Sequence, residues 1–294
     1  MADLSGRTIR VVAPARWVEE QILQRFSVLA NAAGAKVEIA PQCTIRDGQL
    51  AGDDATRAAA LNQAIADPHV DIIWCARGGY GAPRLLDKVE FKAAPRKKLL
   101  VGYSDMTALH QRALGSPVQA VHAAMPFDLR HEDRADNIER AFHFCGEMLA
   151  GTPAPRIFDL IPVRPGTTHG VLVPGNLHVL ATLLGTAFQP YWPSTILCVE
   201  DVGEYYYAID RLFWRLAHSD LAISIKGIAL GSFTDNEDNE IPWGKTVEQI
   251  AALHFPSIPI ATDMPVGHGA DNKPLALCAP CALDVSESTA RLTV

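Results

Sequence analysis

Lys98-Leu99-Leu100-Val101-Gly102-Tyr103-Ser104-Asp105-Met106-Thr107-Ala108-Leu109-His110 is an apolar run that breaks at a glycine and resumes in a helical register. The first part reads as a buried strand and the second as a helix, with a serine at the break. Such a turn lifts a hydroxyl toward a helix N-terminus, where unpaired N–H groups favour negative charge. Two roles are open to Ser104: a nucleophile on an elbow, or an N-cap of the helix that starts near Met106. Gly102-x-Ser104 supplies the first half of a nucleophile elbow, but Met106 stands where its second glycine would be. Asp105 can take the cap in place of the serine.

Upstream of this stretch, strands and helices alternate. Thr8–Ala13 is β-branched and apolar. Glu19–Ala33 carries Ile22, Leu23, Phe26, Leu29 and Ala30 at helical spacing and stops at Gly34. Lys36–Ala40 reads as a second strand, Asp53–Asp67 as a second helix, and Val70–Ala76 as a third strand. That third run is almost continuously apolar, as expected of a strand covered on both faces. Leu99–Tyr103 and Val118–His122 are the fourth and fifth strands, and Asp136–Leu149 is a closing helix. This alternation predicts an α/β fold with a parallel sheet. The Pro- and Gly-rich stretch 151–169 reads as a linker, which divides the chain into domains 1–150 and 170–294. The second half predicts helices over Leu180–Leu184 and Ala208–His218. Its strands fall at Thr195–Val199, Ile225–Leu230, Ile258–Thr262, Leu275–Leu277 and Arg291–Val294, a mixed α/β domain richer in β-structure.

Composition narrows the function classes. Of 294 residues, 48% are hydrophobic and 20% charged. That is the profile of a soluble globular chain. A net charge of −7 without a basic cluster argues against nucleic acid as a partner. The densest basic run, Arg96-Lys97-Lys98, reads as a solvated turn. No apolar run is long enough for a membrane span. The stretch Met1–Arg7 lacks the apolar centre of a signal peptide, which predicts a cytoplasmic location. Most of the six cysteines sit in apolar segments. Cys278-Ala279-Pro280-Cys281 has the spacing of half a metal or redox motif, but no second pair accompanies it, so no metal or cofactor is predicted.

Three further segments can carry chemistry beside Ser104. Ala76-Arg77-Gly78-Gly79-Tyr80-Gly81 follows a strand, where glycines let backbone N–H groups face a ligand. It lacks the lysine and spacing of a nucleotide loop. The loop can supply one backbone N–H of an oxyanion hole, with that of Asp105 as the other; an ordinary glycine turn is the alternative. Cys198-Val199-Glu200-Asp201-Val202-Gly203-Glu204 brings two adjacent acids to the end of a strand. Glu200 can orient a histidine, or both acids can be solvated. Met264-Pro265-Val266-Gly267-His268-Gly269 sets a histidine between glycines, a candidate general base.

Taken in order, these segments resemble the LD-carboxypeptidase family of serine peptidases. The matching stretches are Val11-Val12-Ala13-Pro14-Ala15, Ala76–Gly81, Gly102–Asp105, Gly175-Asn176-Leu177, Glu200–Glu204 and Gly267–Gly269. The resemblance implies a flavodoxin-like N-terminal domain that carries the nucleophile, and a C-terminal domain that carries acid and base. It implies a triad of Ser104, Glu200 and His268, and an oxyanion hole from Gly79 and Asp105. Arg77, Gly78 and Tyr80 become substrate-binding candidates, with Arg77 the cation nearest in sequence for a substrate carboxylate. The implied reaction releases a terminal D-amino acid (D-alanine) from a murein tetrapeptide during cell-wall recycling, in a cytoplasmic, metal-free homodimer. The alternative is an immunity-type amide hydrolase acting on a peptide–nucleotide conjugate. Ala123–Ala150 is short and charged and has no tryptophan, which favours the murein peptide over that alternative. A non-catalytic binding protein that uses the glycine loop as an anion nest is a third possibility.

Overall fold

A computed structural model describes residues 4–294; of the amino-terminal stretch, residues 1–3 lie outside the described residues. The chain forms two compact units, Met1–Ala154 with Lys273–Leu275, and Pro155–Asn272 with Ala276–Val294.

The first unit alternates as its sequence predicts: β1 (Thr8–Val12), α1 (Glu20–Ala32), β2 (Lys36–Ile39), α2 (Asp54–Ala66), β3 (Ile72–Cys75), β4 (Lys98–Gly102), α3 (Thr107–Arg112), β5 (Val118–His122) and α4 (Ala135–Ala150). Strands β1 to β5 pair in parallel in the order β5-β4-β3-β1-β2. This is the flavodoxin-like order. The chain moves to one side of β1 for β2 and to the other for β3. The switch point of the sheet therefore lies between β1 and β3, at whose carboxyl ends open α/β sheets bind ligands. Beside it, β3 and β4 run in register, with Trp74 opposite Val101, so the glycine loop after β3 and the serine turn after β4 leave the same edge as neighbours.

Apolar residues cover both faces of this sheet. Trp74, on the fully buried β3, meets Phe26 of α1 at 5.1 Å and Phe142 of α4 at 5.1 Å, and those two rings stand 5.4 Å apart. Edge-to-face and tilted contacts of this kind add to the area each ring buries. Lys98 departs from the solvated turn that its neighbours suggest. Its side chain is fully buried, and its ammonium donates to the carbonyl oxygens of Val70, at 2.7 Å, and Asp67. Burial lowers its pKa, and the charge of Arg96 acts in the same direction.

The second unit holds β6 (Ile157–Arg164), β7 (Gly166–Asn176), α5 (Leu177–Leu183), β8 (Thr195–Val202), α6 (Tyr206–Ala217), β9 (Ile225–Thr234), α7 (Val247–His254), β10 (Ile260–Thr262), β12 (Pro280–Val285) and β13 (Ala290–Thr293); the two-residue β11 (Leu275–Ala276) instead extends the first sheet beside β5. Seven of these strands close into a barrel in the order β10-β6-β13-β12-β7-β8-β9. The stretch 151–169 is thus corrected. Only its first residues connect the units, and the remainder is β6 and the start of β7. Its prolines hide the strand. Pro162 opposes Ala261 where the pairing of β6 with β10 is irregular. A missing N–H is tolerated at such a position. The period-two pattern is present, with Phe158 and Leu160 buried between exposed Ile157, Asp159 and Ile161.

The aromatic cluster yields a stability prediction. Phe142→Ala should destabilise the protein by about 3–5 kcal/mol, through lost burial and a cavity beside Trp74. Denaturant unfolding followed by tryptophan fluorescence measures this, and an unchanged midpoint would show that α4 does not depend on this ring.

Candidate active site

In the first unit, three turns at the carboxyl edge of the sheet are tied together. The fully buried Arg57 of α2 donates to the carbonyl oxygens of Pro14 after β1, Gly52 at 3.2 Å and Gly81 after β3 at 2.9 Å, and it pairs with Asp54. Gln42 donates to Ala13 O at 2.8 Å and accepts from Ala13 N–H at 2.9 Å, which fixes the turn after β1. The Asp105 carboxylate accepts from the N–H of Ala82 at 2.7 Å, joining the turn after β4 to the glycine loop. Burial pushes the Asp105 carboxyl up to about 6, against the pull of the Ala82 N–H and the nearby Arg57 and Arg16 charges.

Ser104 lies at the start of a 3₁₀ turn, Ser104–Met106, that leads into α3. Its φ is 61°. That is the left-handed region, which a non-glycine residue seldom occupies. An N-cap has extended backbone, so the cap reading is corrected. Tyr103 holds that position, and the Asp105 carboxylate is committed to Ala82. No hydrogen bond holds the Ser104 hydroxyl among the described residues. Strain of this sort, about 1–3 kcal/mol, persists where the surroundings over-determine the backbone.

Gly78 shows what the glycine loop leaves open. A Cβ there would lie 3.0 Å from Ser104 Oγ and 3.5 Å from the backbone N of Asp105, so its absence clears space between hydroxyl and amide. Gly79 has φ 106°, and a Cβ on it would lie 2.5 Å from Arg16 Cδ. Tyr80 is exposed. Arg77 is engaged elsewhere: its guanidinium stacks on the Phe127 ring at 3.6 Å and donates to the Trp17 carbonyl at 3.2 Å. Burial lowers its pKa, and the Arg16 charge adds to this.

The second unit brings Glu200 and His268 together across 68 positions of sequence, with Glu200 Oε2 2.6 Å from His268 Nδ1. Glu200 lies near the end of β8 and is fully buried. A carboxylate accepts only, so Nδ1–H is the donor, and a neutral imidazole held this way carries its lone pair on Nε2, the tautomer a general base needs. The other carboxylate oxygen, Oε1, is buried without a hydrogen bond. The loop that carries His268 is held by residues no motif announced. Ser232 Oγ donates to Val266 O at 3.0 Å and accepts from Gly269 N–H at 3.1 Å, and Asn272 Oδ1 accepts from Gly267 N–H at 3.2 Å. Gly267 has φ 114°, and a Cβ there would lie 2.7 Å from Glu200 Cβ. Only glycine lets this backbone pass so close to the acid.

Asp201 points to other partners. It accepts from Asn176 Nδ2 at 2.8 Å, His178 N–H at 2.9 Å and its neighbour Val202 N–H at 2.9 Å. Burial pushes its carboxyl up to about 6, and the Glu200 charge acts in the same direction. Asn176 also caps α5 through Val179 N–H at 3.0 Å. The Cys278–Cys281 segment stays outside any such cluster. Both thiols are free, and among the described residues no group of His, Cys, Asp or Glu could hold a metal ion.

Comparison with known proteins places these features in a family. Residues 9–123 match the LD-carboxypeptidase N-terminal domain, and residues 169–283 match the LD-carboxypeptidase C-terminal domain. The murein tetrapeptide carboxypeptidase of Pseudomonas aeruginosa is 30% identical, over 92% of this chain and 90% of its own. The crystal structure of muramoyltetrapeptide carboxypeptidase from Oxalobacter formigenes superposes with a TM-score of 0.84 at 26% identity, covering 97% of this chain and 98% of that one. The microcin C7 self-immunity protein MccF, solved with aspartyl sulfamoyl adenosine, shares the fold with a TM-score of 0.84 at 18% identity, over 99% of this chain and 96% of its own. With both halves matched in order and a near full-length relative at this identity, the chain belongs to the LD-carboxypeptidase family.

Proposed function

We propose that the protein is a serine LD-carboxypeptidase that releases D-alanine from a murein tetrapeptide, with Ser104 as nucleophile, His268 as base and Glu200 as the acid that orients it. The observation that carries this reading is the left-handed backbone of Ser104, which presents an uncommitted hydroxyl beside the opening above Gly78. The hydrogen-bonded pair of His268 and Glu200 supports the other two roles. In the proposed reaction His268 Nε2 takes the Ser104 proton as Oγ attacks the carbonyl of the L,D-bond, and the imidazolium that forms is stabilised by Glu200. The developing oxyanion is received by the backbone N–H groups of Gly79 and Asp105. His268 then protonates the amine of the departing D-amino acid, and water attacks the acyl-serine, with the same histidine as base. The names of the relatives from Pseudomonas aeruginosa and Oxalobacter formigenes support the murein peptide as substrate. A cytoplasmic homodimer that recycles cell-wall peptides is the setting this reading assumes. Among the described residues no helix is long and apolar enough to cross a membrane.

The reading is tested at the nucleophile and at the acid. Ser104→Ala should abolish D-alanine release from a murein tetrapeptide and labelling by a fluorophosphonate, with circular dichroism unchanged; full activity in that variant sinks the triad. An aminoacyl sulfamoyl adenosine, assayed in parallel, separates the murein reading from an immunity-type hydrolase. Glu200→Gln keeps the shape of the side chain and removes the charge that stabilises the imidazolium. It should lower kcat by about 10³–10⁴-fold with little effect on folding, and parent-like turnover would remove Glu200 from the mechanism.

A further inference from the structure

We infer that Arg16 is the residue that binds the free carboxylate of the departing D-amino acid. The inference rests on the carboxypeptidase reading above and gives one more residue of the same site a role.

A carboxypeptidase must distinguish a chain end from an internal bond, and the distinguishing feature is a carboxylate beside the scissile carbonyl. Arg77 follows the matching strand in sequence, but its guanidinium already lies on Phe127 and donates to the Trp17 carbonyl. The other arginines around the glycine loop are also committed. Arg57 is saturated by the carbonyls of Pro14, Gly52 and Gly81 and by Asp54, Arg84 pairs with Asp54 at 3.0 Å, and Arg130 stands over Phe127 at 4.2 Å.

Arg16 differs from all of these. Its Nε is buried without a hydrogen-bond partner, and among the described residues no hydrogen bond or ion pair engages its guanidinium. A buried N–H donor without an acceptor costs about 1–3 kcal/mol, and a planar fork of N–H groups matches a carboxylate in shape and charge. Its position follows from the topology. Arg16 leaves the turn after β1 and Gly79 the loop after β3, the two strands that flank the switch point. Its stem fills the place a Gly79 side chain would take, with Cδ 2.5 Å and Nε 2.6 Å from that Cβ position. Gly78, one residue earlier, faces Ser104. The step from Gly78 to Gly79 is ~3.8 Å, about the distance in a peptide from the scissile carbonyl to the terminal carboxylate. With the carbonyl over Gly78, the carboxylate falls beside Arg16. The turn is rigid, since Gln42 and Arg57 hold Ala13 and Pro14 immediately before it.

The test compares a murein tetrapeptide ending in a free D-alanine carboxylate with the same peptide ending in a carboxamide, using the full-length chain. The parent should prefer the acid. Arg16→Gln should lose about 10–100-fold in kcat/KM on the acid, mostly through KM, with little change on the carboxamide, so that the preference collapses. Arg16→Lys keeps the charge without the fork and should fall between the two; it supplies the same comparison if the glutamine variant melts early. An acid-over-amide preference equal to the parent's in these variants overturns the assignment of Arg16 and leaves the carboxypeptidase reading intact. A parent chain that releases no D-alanine overturns that reading and this inference with it.

Discussion

The carboxyl edge of the first sheet depends on one buried cation. Arg57 has no exposed surface, and its guanidinium is surrounded by backbone carbonyls from three turns and by the Asp54 carboxylate. Removing one partner from a buried ionic cluster is strongly destabilising, since the remaining charge is left without solvent or acceptor. The consequence is geometric as well as energetic. Pro14 and Gly81 accept from the same Nη1, so the turn after β1 and the loop after β3 cannot move independently. Asp105 extends this tie to the turn after β4 through Ala82. Three segments far apart in sequence thereby become one preorganised surface, the condition under which aligned N–H groups stabilise charge without reorganising.

The second unit reaches similar rigidity by different means. Its acid and histidine sit on β8 and on a loop, and the loop is fixed by a serine hydroxyl, an asparagine carbonyl and the passage of Gly267 past Glu200. A hydrogen bond from Nδ1 selects the imidazole tautomer, and the neighbours of the loop select its orientation. Asp201, adjacent to Glu200, is directed to Asn176, His178 and Val202. Two consecutive acids thus serve separate purposes, because side chains alternate across a strand.

The parallel sheet was legible because alternating apolar runs and helical spacing leave little choice of architecture; β1 to β5 fall within a residue or two of the periodicity. Elsewhere the pattern was masked. Pro162 concealed β6, since a proline argues against a strand unless the pairing around it is irregular, which only the partner strand reveals. Lys98 was misread because charge in a short basic run signals solvent, whereas its ammonium finds two carbonyls. Ser104, Glu200 and His268 were visible as residue types in suggestive company, but a dihedral angle and a contact across 68 positions are not written in local pattern. Arg16 and Arg57 carried no signal at all. Their importance lies in which acceptors surround them, and in the case of Arg16 in a guanidinium that no hydrogen bond or ion pair engages among the described residues.

The edge of the first sheet also bears on how the protein is made. Its outermost strand beside β5, the short β11, comes from Leu275 and Ala276, whereas β5 itself ends at His122. During synthesis an amino-terminal domain folds early, while later segments are still being added. Until Leu275 and Ala276 have been made, the part of the β5 edge that they cover lacks its neighbour, on a strand whose residues other than Gln119 are buried in the folded protein. An open apolar edge of this kind pairs readily with other strands. Leu275 and Ala276, which lie beside this edge in the folded sheet, are made more than 150 residues after β5, so the sheet takes its final order only once a distant segment has joined it.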